Sequence, residues 1–411
     1  MTGKALVAVT ATGPSGACLR RRQPYGQEVG PVPNCKRRLR VQLVATVAAT
    51  GVLTATAVAA TVDGDDGPNR LKGSPEADVI RAFGGNDGVL AFAGDDGVLL
   101  GAGDDRTFMG PGNDEAAGGP GDDRIRGGAG NDSANGETGR DRIAGGPGDD
   151  TLQGWAGSDR VFGGIGNDDL AGDVNAAGDR FSRDLLRGGA GADTLHGGDA
   201  HDRLFGGRDG DRIFGELGRD LIRGGFGDDT NDGGPGNDRI LGGPGNDGQN
   251  GSDGNDRMAG GPGDDEQAGD PGNDRIFANH GRDVTDGGPG DDDLWALLRR
   301  DVTGPGDIAG DVVRGGEGND RIRVRDGELD VISCGPGADV AILELRRRDR
   351  GRHRGRRHRA TASGSAATRH GPAPTSRRGT ANRSGLAFPI AGVTAATCTS
   401  GLAPSSSSSS C

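Results

Sequence analysis

Aspartate returns at every ninth residue through most of this chain, and carboxylate oxygen is the donor that a hard divalent cation prefers. Gly118-Gly119-Pro120-Gly121-Asp122-Asp123-Arg124-Ile125-Arg126 is followed in frame by Gly127-Gly128-Ala129-Gly130-Asn131-Asp132. The unit is G-G-x-G-x-D-x-U-x, with U apolar. Eleven copies run unbroken from Gly73 to Ala171, thirteen from Asp179 to Trp295, and four more lie between Gly306 and Ile342, making 28. Asp holds the sixth position in all 28, from Asp78 to Asp339. Gly holds the fourth in 22, failing only at Glu76, Ser182, Ala200, Asp209, Ala309 and Glu328. A merely biased composition keeps no such register; a structural repeat does.

Each position has a physical use. Glycine permits positive φ and close backbone approach in a tight, cation-cradling turn. Proline at the third position, as in Pro120, Pro147, Pro235, Pro244, Pro262 and Pro289, lacks an N–H and stiffens the turn. Apolar eighth positions such as Ile125, Ile143, Leu152, Val161 and Leu170 are expected to face inward.

With these residues the chain resembles the RTX, or haemolysin-type, calcium-binding repeat family over about two thirds of its length. The resemblance implies an all-β parallel β-roll (a β-solenoid) in which G-G-x-G-x-D is a turn and x-U-x a short strand. It further implies Ca2+, several ions, between turns two repeats apart, held by sixth-position carboxylates and backbone carbonyls. In the first run the implied metal residues are Asp87, Asp96, Asp105, Asp114, Asp123, Asp132, Asp141, Asp150, Asp159 and Asp168. In the second they are Asp193, Asp220, Asp229, Asp238, Asp247, Asp256, Asp265, Asp274, Asp283 and Asp292, and in the last run Asp320. The turn glycines Gly121, Gly130, Gly236, Gly245 and Gly263 match the pattern best and join them. The pattern is eroded at the first position of the early units, Ala82, Ala91, Leu100 and Met109, and fifth-position Arg140, Arg219 and Arg282 stand where Asn or Asp is usual, which puts those sites in doubt.

Composition agrees that burial alone does not fold the chain. Hydrophobic residues are 31% and aromatics 3%, against 84 glycines, so a layered core cannot be filled. One apolar side chain per nine ordered residues is too little burial to offset the lost chain entropy. Stacked turns would also bring sixth-position carboxylates about 5 Å apart, the interstrand spacing, and without a cation these repel. Folding coupled to calcium binding is the expectation.

Charge divides the chain in three. Residues 1–60 carry +7, residues 346–411 carry +12, and residues 61–345 hold 27 basic and 59 acidic residues. An acidic, glycine-rich centre is a poor match for nucleic acid. The centre, 61–345, is taken as the roll of about 28 repeats, with insertions at 172–178 and 296–305 expected as loops on one face.

The ends read differently. Lys36, Arg37, Arg38 and Arg40 precede the apolar stretch from Val41 to Ala60, which closes on Ala57-Val58-Ala59. That is the pattern of a cleaved secretory signal, preceded by an extension that normally does not occur, so the start is expected near Lys36. The alternative is an uncleaved signal anchor at 41–60 tethering the chain to a membrane. A secreted, extracellular location follows, with no span in the mature chain. Beyond Arg346 a basic and then Ser-rich tail keeps no period and is expected to be disordered. Cys334, Cys398 and Cys411 remain after cleavage, an odd count with no zinc-site spacing.

If residues 18 apart stack, the eighth positions form two files. Leu204, Ile222, Ile240, Met258, Ile276 and Leu294 stay apolar, whereas Ile213 is followed by Asn231, Gln249, Gln267 and Thr285. A buried amide ladder accounts for the polar file, and so does a local change of register or weak folding there. Arg106, Arg124, Arg142 and Arg160 are likewise 18 apart at the outward seventh position, either a solvated face or a stripe for an anionic cell-surface polysaccharide. No H-E-x-x-H, G-x-S-x-G elbow or converging histidine set is present, and Trp155 and Trp295 read as exposed or loop aromatics. The function expected is a calcium-binding structural or interaction module and not an enzyme, with adhesion as the alternative and a secreted hydrolase behind it.

Overall fold

The computed structural model describes residues 59–173, 182–296, 310–324 and 330–343, and the backbone of 45–47 and 53–55. The tail expected to be disordered, and most of the segment read as a signal, lie outside them. Within the latter, Ala45–Val47 pairs antiparallel with Leu53–Ala55, and among the described residues no helix is long and apolar enough to cross a membrane.

The repeat region is a parallel β-solenoid of two 15-stranded sheets, each strand pairing with the next but one in sequence. Sheet 1 runs from Thr61–Asp65 to Val331–Ser333 and sheet 2 from Arg70–Lys72 to Val340–Leu343. Two nonapeptides make one coil, so residues 18 apart are neighbours: Arg124 stands opposite Arg142 and Ile125 opposite Ile143. Fourteen steps of ~4.8 Å give a rod of roughly 65–70 Å. A nine-residue unit closes this way because three residues of strand present one side chain inward and two outward, while the six-residue turn reverses the chain.

Both insertions are absorbed without loss of register. Val161 pairs with Leu186 across the first and Leu294 with Ile322 across the second. The strands on either side of them differ: the first lies between Asp169–Ala171 of sheet 1 and Leu185–Ala190 of sheet 2, the second between Asp293–Ala296 of sheet 2 and Val312–Arg314 of sheet 1. The loops expected on one face lie largely outside the described residues.

Eighth-position side chains fill the slot between the sheets: Ile125, Ile143, Leu152, Leu204, Ile213 and Ile222 are all fully buried. The polar file stays in register, Ile213 beside Asn231 and Thr285 beside Val313, so no slip occurs. One rung of an amide ladder is made, Gln267 Nε2 donating to Gln249 Oε1 at 2.8 Å, and Gln249 Nε2 crosses the core to the Ala259 carbonyl at 2.9 Å. Ala82, Ala91, Leu100 and Met109 are completely buried too. Side chains where the repeat has its first glycine thus thicken the core of the early coils. Cys334, at the same position near the other end, is disulfide-bonded.

Positive φ is adopted at most second and fourth turn positions, by glycine and by other residues alike. Gly119 and Gly121 have φ of 103° and 149°, while Glu137, Trp155 and Asp270, all at second positions, adopt 71°, 73° and 62°. The glycine angle brings backbone onto backbone: a Cβ on Gly121 would lie 1.9 Å from the Gly103 carbonyl oxygen of the preceding coil. Gly121→Ala should therefore cost about 1–3 kcal/mol by overpacking. Glu137→Gly, which relieves a left-handed residue that has a Cβ, should raise stability by about 1 kcal/mol. Denaturant titration of both variants in excess calcium checks this, and equal midpoints would contradict the reading.

Candidate metal centre

The turns carry two rows of oxygen per edge. At the sixth position each aspartate folds inward and is almost completely buried, from Asp78 through Asp105, Asp123, Asp193, Asp238 and Asp292 to Asp320. Its Oδ1 accepts the backbone N–H of the aspartate one coil earlier: Asp105 N to Asp123 Oδ1, Asp123 N to Asp141 Oδ1 and Asp132 N to Asp150 Oδ1, each 2.8 Å. The second oxygen, Oδ2, is buried without a hydrogen-bond partner in Asp87, Asp96, Asp114, Asp132, Asp150, Asp168, Asp229, Asp247, Asp265 and Asp283, among others. First-position glycine makes this packing possible, since a Cβ on Gly127 would lie 2.1 Å from Asp132 Oδ2 and one on Gly145 1.9 Å from Asp150 Oδ2.

The fifth position supplies a second row that the reading of the repeat left out. There the side-chain oxygen reaches forward: Asn113 Oδ1 accepts the N–H of Asn131 at 2.8 Å, and Asn131 Oδ1 that of Asp149 at 3.0 Å. Adjacent turns are thus tied in both directions, outside by the fifth residue and inside by the sixth. Spacing alone marked the fifth position as Asn or Asp in most units, and that preference was the available signal. Where arginine intrudes the tie persists: Arg140 and Arg282 donate backbone N–H to Asp122 and Asp264 of the previous coil, and their guanidinium groups pair with the same carboxylates at 3.1 and 2.8 Å.

Main-chain carbonyls complete the donor set. The oxygens of Gly121, Gly130, Gly236, Gly245 and Gly263 abut the fourth-position residue of the next coil, where a Cβ would come within 1.4–2.1 Å of each. Among the described residues no three Asp, Glu, His or Cys side chains converge on one point. The oxygens form a row instead, one inner carboxylate per turn backed by carbonyls. On the edge that carries Asp256, Asp274, Asp292 and Asp320, they line a groove of about 700 Å3 together with Asn255, Asn273 and Asn319.

The electrostatics are those of carboxylates short of a counter-charge. Burial raises Asp123, Asp132, Asp141 and Asp168 to about 7, Asp220, Asp274 and Asp283 to about 8, and Asp184 to about 9, against an ordinary 3.8. The accepted backbone N–H bond pulls each down and neighbouring aspartates push it up again. All donors are oxygen, anionic or carbonyl, so the set suits a hard divalent cation and not a thiolate- or imidazole-seeking metal. The orphaned Oδ2 atoms are where such an ion would supply the missing partner.

A family model of four RTX calcium-binding nonapeptide repeats matches at 63–98, 110–143, 135–170, 182–213, 205–235, 214–249, 232–266, 268–294 and 305–340. The chain belongs to the RTX calcium-binding nonapeptide repeat family. The chain matches no curated protein. The RTX turns account for the aspartate periodicity as a calcium-binding structural fold, and the sheet register puts sixth-position carboxylates of alternate repeats side by side, as the resemblance implied. Asp87, Asp96, Asp105 and Asp114 keep their place in the row although Ala82, Ala91, Leu100 and Met109 replace the first glycine.

Raised carboxylate pKa values give the metal-free RTX roll an acid-favoured stability. A proton bound more tightly in the coil than in the open chain stabilises the coil. The contribution is complete below about 3.8 and is lost as pH rises through about 7 to 8, the values of Asp123 and Asp220. Circular dichroism in excess chelator should show more β-structure at pH 5 than at pH 8, and calcium added at pH 7 should release protons. Greater β content at pH 8 would contradict the sign.

Proposed function

We propose that the chain is an extracellular structural module that folds on binding calcium, with the sixth-position aspartates as its carboxylate ligands and the fourth-position glycine carbonyls beside them. The observation that carries this reading is the file of buried aspartates with an unpartnered Oδ2, because desolvated anions repeated at interstrand spacing leave the roll without a net driving force until a cation joins them. Export supplies the setting: extracellular calcium modules work at ~10⁻⁴–10⁻³ M, far above the level inside cells. The basic and apolar segment at 36–60 is consistent with a secretory signal.

On this reading the Oδ2 atoms would help to hold the ion, while each Oδ1 keeps its backbone N–H. Ion binding is then folding free energy, and chelation unfolds the rod. Isothermal titration and circular dichroism of the whole chain test it together. Millimolar calcium should raise β content and bind with a stoichiometry of several ions per chain, and excess chelator should reverse both. Unchanged β content in chelator, or no stoichiometric uptake, would overturn the proposal.

Replacing a central ligand separates the two roles of the carboxylate. Asp141→Asn keeps an oxygen for the Asp123 N–H and removes the buried charge. The variant should be more stable than the parent in chelator at pH 8 and should gain less from calcium, with its calcium midpoint moved upward by roughly threefold or more, the equivalent of losing under one charged hydrogen bond. An unchanged midpoint would remove Asp141 from the ligand set.

A further inference from the structure

The two sheets share one core and the same acidic turns, yet their outer faces differ in charge. On sheet 2 the outward seventh and ninth positions carry fifteen Arg or Lys and one acid, Asp293, while on sheet 1 they carry three cations and six acids. Solubility does not require this, because sheet 1 is wetted by Thr, Ser, Asn and Gln at the equivalent places. Nor are the cations neutralised. Arg275 and Arg323 pair with Asp293; among the described residues Arg124, Arg142, Arg187, Arg203 and Arg223 make no ion pair.

Aromatic rings fix where those charges sit. Arg187 lies between Phe162 and Phe205, 5.9 and 5.4 Å from the ring centres, and Arg142 and Arg223 cover the same two rings at 5.2 and 5.6 Å. Further along, Phe277 packs on Trp295 at 5.5 Å and Arg323 lies 4.0 Å over the indole. Trp295 is thus part of a strand and partly covered, not a loop aromatic. Guanidinium groups held over rings lose little further freedom when they bind an anion, and their N–H donors stay available.

We propose that the outer face of sheet 2 binds an extended anionic polysaccharide that carries an acid group on each sugar. The inference rests on the calcium-loaded roll only for its scaffold. Coil follows coil at ~4.8 Å, close to the length of one sugar in an extended chain, so a straight file of guanidinium groups meets successive carboxylates in step. The half-buried rings between the cations, Phe162, Phe205 and Phe277, offer apolar surface for the C–H faces of sugars. Duplex DNA fits less well, since its phosphates advance at 3.4 Å per strand and curve away from a flat face.

The test uses the whole chain in calcium, its fold verified by circular dichroism, titrated with oligogalacturonates too short to gel with calcium and with neutral maltooligosaccharides of equal length. Binding to the acidic oligomer that weakens with salt is expected, with no binding to the neutral one. Arg187→Gln with Arg223→Gln should weaken it at least roughly tenfold, about one charged hydrogen bond, whereas Arg212→Gln with Arg314→Gln on sheet 1 should not. Folded protein that ignores the oligogalacturonate, binds both oligomers alike, or prefers duplex DNA or anionic vesicles overturns the proposal. Should the sheet 2 variant lose its calcium-induced fold, competition by duplex DNA and the salt dependence of the parent chain decide. Failure of the parent to fold in calcium strikes at the calcium reading instead.

Discussion

The aspartate at the sixth position of each repeat occupies the one place in the turn where a carboxylate can serve the next coil and still be cut off from water. One oxygen is committed to a backbone N–H of the neighbouring turn, as in Asp123 N to Asp141 Oδ1. The other is enclosed by the first-position glycine of its own repeat, as with Asp132 Oδ2 over Gly127. A neutral side chain of the same shape would satisfy the first demand without the cost of the second. The charge is retained at every repeat, and an uncompensated buried anion is among the most expensive groups in a fold. On the proposed reading, a cation held by these turns would be the counterpart that offsets that cost.

That logic was legible in the sequence because it is periodic. A nine-residue register holds Asp from Asp78 to Asp339, and with the coil of two repeats that the resemblance implied it gives the partner of each residue. Less legible was the direction in which each side chain reaches. Asn131 and Asp132 are adjacent, yet the first ties its turn to the following coil and the second to the preceding one. Period alone gives neighbours, not the sense of a hydrogen bond, which comes from the reversal of the backbone within the turn.

The departures from consensus show how much the coil tolerates. Leu100 and Met109 replace a glycine and become core. Glu137 and Trp155 replace another and accept left-handed backbone, at 71° and 73°, below the angles of most glycines there. At both the second and the fourth position a glycine Cβ would meet a carbonyl of the previous coil, 1.8 Å from Gly110 O at Gly128 and 1.9 Å from Gly103 O at Gly121.

The polar file at Asn231, Gln249, Gln267 and Thr285 follows the same principle from inside. Four coils of sheet 1 face an apolar file on sheet 2, and only Gln249 and Gln267 find partners, each other and the Ala259 carbonyl. Apolar side chains there would pack with less penalty, so these coils contribute less burial than their neighbours. Their turns, with Asp229, Asp238, Asp247, Asp256, Asp265 and Asp274, are among those that best keep the repeat pattern. A solenoid sums local stabilities coil by coil, so where the core contributes least, more of the stability must come from the turns. Cation binding at the edges would therefore matter most in the middle of the second run, and chelation would open the rod there before it opens the apolar coils around Ile125 and Ile143.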